Sequence, residues 1–172
     1  LSAAVISAFC ANAIAEETYT TGTIDVYSVA PLPGIGIEKS ILPSAIQEVS
    51  MEQVKDQAGV SIADYLVNNA AGVTVTEVGG NPWQPEIKFR GYTAGSIAGN
   101  EQGISVYVDG VRENQPFSDV VLWDTLPSFA YESAQVVPGS NPIYGLNTLG
   151  GAVTFQTKSG RNFVGSNVLF TA

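Results

Sequence analysis

The feature that most constrains this chain is a pair of alternating runs joined by Asp109-Gly110. Residues 104–108 (ISVYV) carry apolar side chains at every second position, and residues 111–113 (VRE) follow the Asp-Gly pair. Asp-Gly between such runs favours a two-residue type I′ turn, in which both central residues have positive φ. The sequence therefore predicts a β-hairpin here, which any fold of the chain has to accommodate.

Other short elements surround this hairpin. Strands are predicted at residues 45–49, 73–76, 86–90, 133–137 and 152–157. A helix is predicted to begin at Ser61, whose Ser-x-x-Asp spacing with Asp64 is typical of a helix start, and to end before Gly72. Its apolar face is predicted to hold Ile62, Tyr65, Leu66 and Asn69. Residues 91–103 and 139–151 are glycine-rich and are predicted as loops. Short helices and strands in mixed order predict an α+β fold: a small mixed four- to five-stranded sheet with short helices and long loops.

Composition excludes several functions. The net charge is −9, with seven Lys+Arg against sixteen Asp+Glu, so the chain lacks the basic surface that nucleic acid requires. It has no His, the commonest general base, and its one cysteine, Cys10, allows neither an intrachain disulfide nor a cysteine metal cluster. Charged residues make up 13% of the chain, against about 25% in typical soluble domains. We therefore expect part of the surface to be enclosed or covered by a partner.

No catalytic constellation can be assembled from the remaining residues. Residues 145–152 have the glycine spacing of a phosphate loop but lack its Lys and Ser/Thr, which favours a tight connector. Asp109 is needed by its turn, Glu113 ends a strand, and Asp124 next to Trp123 is interpreted as a loop anchor. The sequence therefore predicts no enzyme, no catalytic residue, no cofactor and no metal site.

The two ends of the chain differ from its middle. Residues 1–15 contain a short apolar run and an Ala-x-Ala site, which is typical of a secretory signal peptide and too short to span a membrane. Residues 16–43 are rich in Thr, Gly, Ser and Pro and are predicted to be a flexible tether. Within it, residues 23–29 (TIDVYSV) are β-prone without a neighbouring strand signal, so they are either disordered or available to a partner's sheet edge.

Arg90 is the basic residue that most needs an explanation. It ends an apolar strand immediately before Gly91, in a chain with few charges. Such a cation calls for a carboxylate partner, and none is near it in the sequence, so the partner is expected on another segment or domain. An ordinary solvated arginine at a strand end remains the alternative.

Three motifs, in order, resemble the plug domain of TonB-dependent outer-membrane receptors across residues 23–158. They are Pro85–Gly91 (PEIKFRG), Val106–Val111 (VYVDGV), and the run from Pro138-Gly139-Ser140 through Tyr144-Gly145 to Leu149–Val153 (LGGAV). The chain departs from the family pattern at two positions. Pro138 stands where the family usually has Arg, and Gln135 stands where it has an acid.

The resemblance implies a function and a domain arrangement. Residues 44–158 would be a plug inside the receptor's own β-barrel in the bacterial outer membrane, and residues 159–172 would begin the first strand of that barrel, which makes the chain a fragment at both ends. The tether would lie in the periplasm and contact TonB, the periplasmic energy transducer, through its TonB-box-like segment. Those contacting residues are Thr23, Ile24, Asp25, Val26, Tyr27, Ser28 and Val29. Arg90 would contact carboxylates of the barrel wall.

The implied activity is energised uptake of a scarce ligand. The loops at residues 92–103 and 115–124 are expected to face it, and the candidate contacts are Tyr92, Thr93, Asn100, Gln102, Phe117 and Trp123. The loops do not select among a ferric siderophore, cobalamin, another metal chelate or an oligosaccharide. The alternative is a secreted or surface-attached, non-enzymatic binding or adhesion domain with a disordered N-terminal arm.

Overall fold

A computed structural model describes residues 45–51, 61–161 and 163–166, and the backbone of residues 26–27 and 37–38. The predicted signal peptide and most of the predicted tether lie outside the described residues, as does the end of the predicted barrel strand. In the described part, the elements in chain order are β1 (Val26–Tyr27), β2 (Ile37–Glu38), β3 (Gln47–Ser50), α1 (Ile62–Asn69), β4 (Val73–Glu77), β5 (Pro85–Phe89), β6 (Tyr92–Gly95), β7 (Ile104–Val108), β8 (Val111–Arg112), β9 (Tyr131–Pro138) and β10 (Gly151–Thr157). No helix among these residues is long and apolar enough to cross a membrane.

The central sheet has five strands in the order β3-β9-β10-β7-β8. It is mixed, because β10 runs parallel to β7 and antiparallel to β9. The β7–β10 pairing starts at Ile104 with Gly151 and continues to Val108 with Phe155. The predicted α+β class and the predicted mixed sheet are therefore confirmed.

The predicted hairpin forms at Asp109-Gly110. Val108 pairs with Val111, and the two turn residues have φ angles of 47° and 85°, as a type I′ turn requires. The Asp109 carboxylate also accepts hydrogen bonds from the Thr157 amide at 2.9 Å and from the Thr157 hydroxyl at 2.6 Å. The turn residue therefore also fixes the far end of β10.

A second sheet, of three antiparallel strands, was not expected. Its order is β4-β5-β6. Residues 91–103 were predicted to be a loop, but Tyr92–Gly95 form β6, because Arg90 and Gly91 adopt φ angles of 53° and 85° and turn the chain back along β5. The left-handed conformation of an arginine is not apparent from the sequence, so the turn was missed.

Both sheets and α1 bury side chains in one core. The amide of Ser61 donates to the Asp64 carboxylate at 3.0 Å, which confirms the predicted helix start. The helix buries Ile62, Ala63 and Leu66, whereas Asn69, predicted on the same face, is exposed. The largest fully buried side chains of this core are Ile62, Leu66, Ile87, Ile104, Val106, Val121, Trp123, Val136, Val153 and Phe155.

A smaller cluster covers part of the opposite face of the central sheet. It contains Ile46, Tyr107, Val137, Tyr144 and Ala152. The two tyrosine rings meet edge to face at 5.7 Å, and the Tyr107 hydroxyl donates to the Tyr144 carbonyl at 2.5 Å. Burial raises the pKa of both phenols, so both stay neutral at physiological pH. This cluster fixes the segment after residue 142 onto the sheet.

Residues 23–29 were expected to lack a strand partner, but two of them pair with another strand of the chain. Val26 pairs with Glu38 and Tyr27 with Ile37, in an antiparallel ladder of β1 and β2. A strand of only two residues shows no periodicity, so β2 could not be predicted. The rest of segment 23–29 lies outside the described residues.

Gly151 provides a test of the pairing between β10 and β9. A Cβ on this glycine would lie 2.4 Å from the Val137 carbonyl oxygen, and the backbone φ is 153°. We expect Gly151→Ala to lower the free energy of unfolding by about 2 kcal/mol, because β10 must move away from β9. Urea denaturation followed by tryptophan fluorescence measures the change.

Gly160→Ala is the matched control. A Cβ at Gly160 would meet no atom within 4 Å, so this variant should unfold like the wild type. Equal midpoints for the two variants would show that the close approach at Gly151 does not limit the fold.

Candidate functional site

An open cavity of about 730 Å³ lies beside the beginning of β7. Side chains from three segments line it: residues 100–102, 112–119 and 146–147. The first and third segments follow β6 and the helical turn at Pro142–Tyr144, and the second begins at Arg112, the last residue of β8. The cavity, here called the loop pocket, is therefore built by connections between elements, and the sheets hold those connections in place.

An ion pair joins two walls of the loop pocket. Arg112 Nη2 lies 3.0 Å from Asp119 Oδ1 and 3.3 Å from Oδ2, and it also donates to the Leu146 carbonyl at 2.9 Å. The Asn147 side chain donates to Asp119 Oδ2 at 2.7 Å. Both charged side chains are about three-quarters buried, so solvent screens the pair less than it would at an open surface.

Asn114 orders the loop that carries Asp119. Its side chain is buried, accepts from the Val106 amide at 2.7 Å and donates to the Ile104 carbonyl at 3.0 Å. Beyond it, Ser118 and Asp119 have φ angles of 61° and 54°, two consecutive left-handed residues without a glycine. Such a conformation costs free energy and persists only where surrounding contacts impose it. The Arg112 and Asn147 contacts to the Asp119 side chain are part of that constraint.

The wall at residues 100–102 is fastened to the three-stranded sheet. Glu86 is buried; its carboxylate lies 3.2 Å from Lys88 Nζ and accepts from the Asn100 side chain at 2.7 Å. Gln102 Oε1 accepts from the Gly95 amide at 2.9 Å, and Gln102 Nε2 is buried with no hydrogen-bond partner among the described residues. The two predicted ligand contacts therefore line the loop pocket and also anchor their own loop.

Two other predicted contacts support this wall. The Thr93 hydroxyl donates to the Glu101 carbonyl. Tyr92 is 38% exposed, and its ring lies where a Cβ on Gly103 or Gly150 would have to be, at 2.5 and 2.7 Å. Tyr92 therefore needs glycine on both sides, and it brings two glycine-rich connections together.

The remaining two predicted ligand contacts, Phe117 and Trp123, differ in their exposure to solvent. Phe117 is 80% exposed, next to the pocket-lining Pro116 and Ser118. Trp123 is 1% exposed; its indole nitrogen donates to the Ala94 carbonyl at 3.0 Å, and its ring packs edge to face on Phe155. The prediction that Trp123 faces a ligand is therefore wrong, because its side chain belongs to the core.

Sequence reasoning did not single out six polar residues of the loop pocket, although three of them lie in the predicted ligand-facing loop 115–124. The six are Arg112, Asn114, Gln115, Ser118, Asp119 and Asn147. The only available signal was the scarcity of cations, the same signal that singled out Arg90. No spacing connects residue 112 with residue 147, since only the tertiary packing of the Tyr144 segment brings them together.

Arg90 itself lies in the exposed β5–β6 turn, away from the core. Its guanidinium makes no ion pair with any residue of the described part. Those residues also hold no group of three or more His, Cys, Asp or Glu arranged to bind a metal.

The fold and the loop pocket together define a small α+β domain whose polar groups converge in loops. The chain belongs to the TonB-dependent receptor plug domain family, whose family model matches residues 38–152. No curated protein matches the chain.

Solved structures share the fold. The siderophore receptor PiuA from Acinetobacter baumannii matches 78% of this chain and 17% of its own, at 24% identity and a TM-score of 0.53. The alcaligin outer membrane receptor FauA from Bordetella pertussis matches 78% of this chain and 22% of its own, at 19% identity and a TM-score of 0.52. The RagAB peptide importer in its "open-open" state matches 79% of this chain and 14% of its own, at 24% identity and a TM-score of 0.56. The chain thus spans less than a quarter of each of these receptor chains.

The Arg112–Asp119 pair gives a prediction for the loop pocket. Asp119→Asn keeps a residue that tolerates positive φ but removes the charge, so the loop should lose about 1 kcal/mol of local stability. We expect amide hydrogen exchange at residues 113–120 to rise about fivefold. Asp124→Asn, at an exposed acid in a neighbouring turn, is the control. Equal exchange in the two variants would show that the ion pair does not hold the loop.

Proposed function

We propose that this chain is the plug of an outer-membrane receptor that gates energised uptake of a scarce ligand, such as a ferric siderophore, cobalamin or another chelate. The observation that carries the proposal is the family match over residues 38–152. Two of the structural neighbours are a siderophore receptor and a peptide importer, which agrees with an uptake role. No specific observation favours the alternative of a secreted adhesion domain.

The proposed arrangement follows the expected domains. Residues 1–15 direct export, residues 16–43 form the periplasmic tether, residues 44–158 occupy the lumen of the receptor's own β-barrel, and residues 159–172 begin its first strand. The low charge content supports an enclosed position, because a domain surrounded by a barrel wall meets less bulk water.

TonB is proposed to bind residues 23–29 by strand addition. In this mode backbone hydrogen bonds supply most of the grip and side chains add little. The backbone of Val26 and Tyr27 is extended and forms a ladder with β2, which supports its capacity to pair with a sheet edge. A pull on the tether would reach the plug through β3, the first strand of the central sheet.

Two further contacts are proposed for the plug. Arg90, exposed in its turn and unpaired within the described residues, is proposed to bind carboxylates of the barrel wall. Asn100, Gln102 and Phe117 are proposed to face the ligand, with Tyr92 and Thr93 supporting their loop. Trp123 has no such role.

Val26→Pro in the full-length receptor tests the tether. Proline removes the backbone N–H and so one strand hydrogen bond, which should weaken binding to the periplasmic domain of TonB about tenfold. Surface plasmon resonance with immobilised TonB measures the change, and energised uptake should fail while ligand binding at the cell surface persists.

Val26→Ala keeps the N–H and is the matched control, with TonB affinity near that of the wild type. Equal TonB affinity of the proline and alanine variants would contradict strand addition at this segment.

Arg90→Ala tests the seating of the plug. Loss of the proposed ion pair should loosen the plug in the barrel, so that cells expressing the full-length variant become more sensitive to vancomycin, an antibiotic too large for ordinary porins. Arg161→Ala, at another exposed arginine, is the control. Unchanged sensitivity of the Arg90 variant would leave this arginine without a role in seating.

A further inference from the structure

We infer that the loop pocket accepts an uncharged part of the ligand, one that offers hydroxyl or amide groups, and disfavours an anionic chelate. This inference deepens the proposed function and rests on it, because it assumes that the loop pocket faces the ligand.

The first reason is that the charges of the loop pocket neutralise one another. Its one cation, Arg112, is held by the Asp119 carboxylate and the Leu146 carbonyl. Its one carboxylate, Asp119, accepts from Arg112 and Asn147. Because the two charges are already paired, an anionic ligand would gain less from Arg112 than from an unpaired cation, and a cationic ligand would gain less from Asp119 than from an unpaired carboxylate.

The second reason is that the remaining polar groups of the pocket walls are neutral. Gln102 and Gln115 contribute amides, and the exposed Ser118 contributes a hydroxyl. The Gln102 amide itself is not available, because its oxygen accepts from the Gly95 amide and its Nε2 is buried. The exposed Gln115 amide and Ser118 hydroxyl can donate to a carbonyl or hydroxyl oxygen of the ligand without introducing a charge.

The third reason is the negative electrostatic field expected around the loop pocket. Residues 61–161 carry nine Asp+Glu against five Lys+Arg, and Glu101 lies exposed between Asn100 and Gln102 without lining the cavity. This distribution repels an approaching anion. A trianionic metal complex would therefore meet repulsion outside the pocket and, within it, one cation that is already paired with Asp119.

Gln115 is a position at which an introduced charge can test whether the bound ligand is charged. Its side chain is exposed, lines the loop pocket and makes no hydrogen bond to another described residue, so a charge can be placed there without disturbing the fold. The experiment uses the full-length receptor with Gln115→Lys and Gln115→Glu. Gln156→Lys and Gln156→Glu are matched controls on the exposed surface of β10, which lies outside the pocket lining.

Isothermal titration calorimetry would use three neutral probes and one anionic probe. The neutral probes are maltoheptaose, cyanocobalamin and the uncharged ferric complex of a cyclic trihydroxamate; the anion is the ferric complex of a tricatecholate. We expect at least one neutral probe to bind the wild type, with the lysine and glutamate variants at Gln115 weakened to the same extent, within about twofold of each other, and with little dependence on salt. The tricatecholate complex should not bind.

Three results would overturn the inference. The first is binding of the tricatecholate complex, tightened by Gln115→Lys and weakened by Gln115→Glu. The second is the reverse charge order for any bound probe, which would indicate a cationic ligand. The third is failure of every neutral probe to bind. Uptake that persists in cells lacking TonB would instead contradict the proposed function, and the charge measurement would still stand.

Discussion

The parallel pairing of β10 with β7 is the contact on which the rest of the domain depends. Parallel neighbours cannot be joined by a tight turn, so the chain between them must make a long crossover. In this protein the crossover contains β8, the Asp119 loop, β9 and the Tyr144 segment. Every wall of the loop pocket except residues 100–102 therefore belongs to the connection that this one strand pairing requires.

Buried polar contacts then give the crossover a defined shape. The Asn114 side chain forms hydrogen bonds with the backbone of Ile104 and Val106 at the start of β7. The Ser105 hydroxyl, on the sheet face that carries Tyr107, lies 2.5 Å from the Thr148 hydroxyl. Such groups are costly to bury unless they are satisfied, so each favours a single arrangement of its loop. A polar pocket can thus be kept in a fixed geometry although all of its lining residues except Arg112, which ends β8, lie in loops.

Local signals in the sequence predicted much of the fold. The Asp109-Gly110 turn and the Ser61-to-Asp64 helix start depend on residues within a few positions of each other, and both were predicted. The strand β6 was not, because it depends on Arg90 adopting a left-handed backbone. Trp123 was misplaced because a single aromatic residue in an irregular segment shows no period that separates core from surface. The Arg112–Asp119–Asn147 contacts are tertiary, and no local pattern could indicate them.

The β5–β6 turn combines an unfavourable backbone conformation with an exposed positive charge, and both belong to Arg90. A type I′ turn accepts glycine or asparagine with the least strain, and this turn holds an arginine at φ 53°. A long side chain in the left-handed region costs about 1 kcal/mol or more. Asparagine in place of the arginine would reduce this backbone penalty, but it would present no guanidinium outward. The domain thus tolerates an intrinsic backbone penalty and displays one positive charge at the exposed turn of the β5–β6 hairpin.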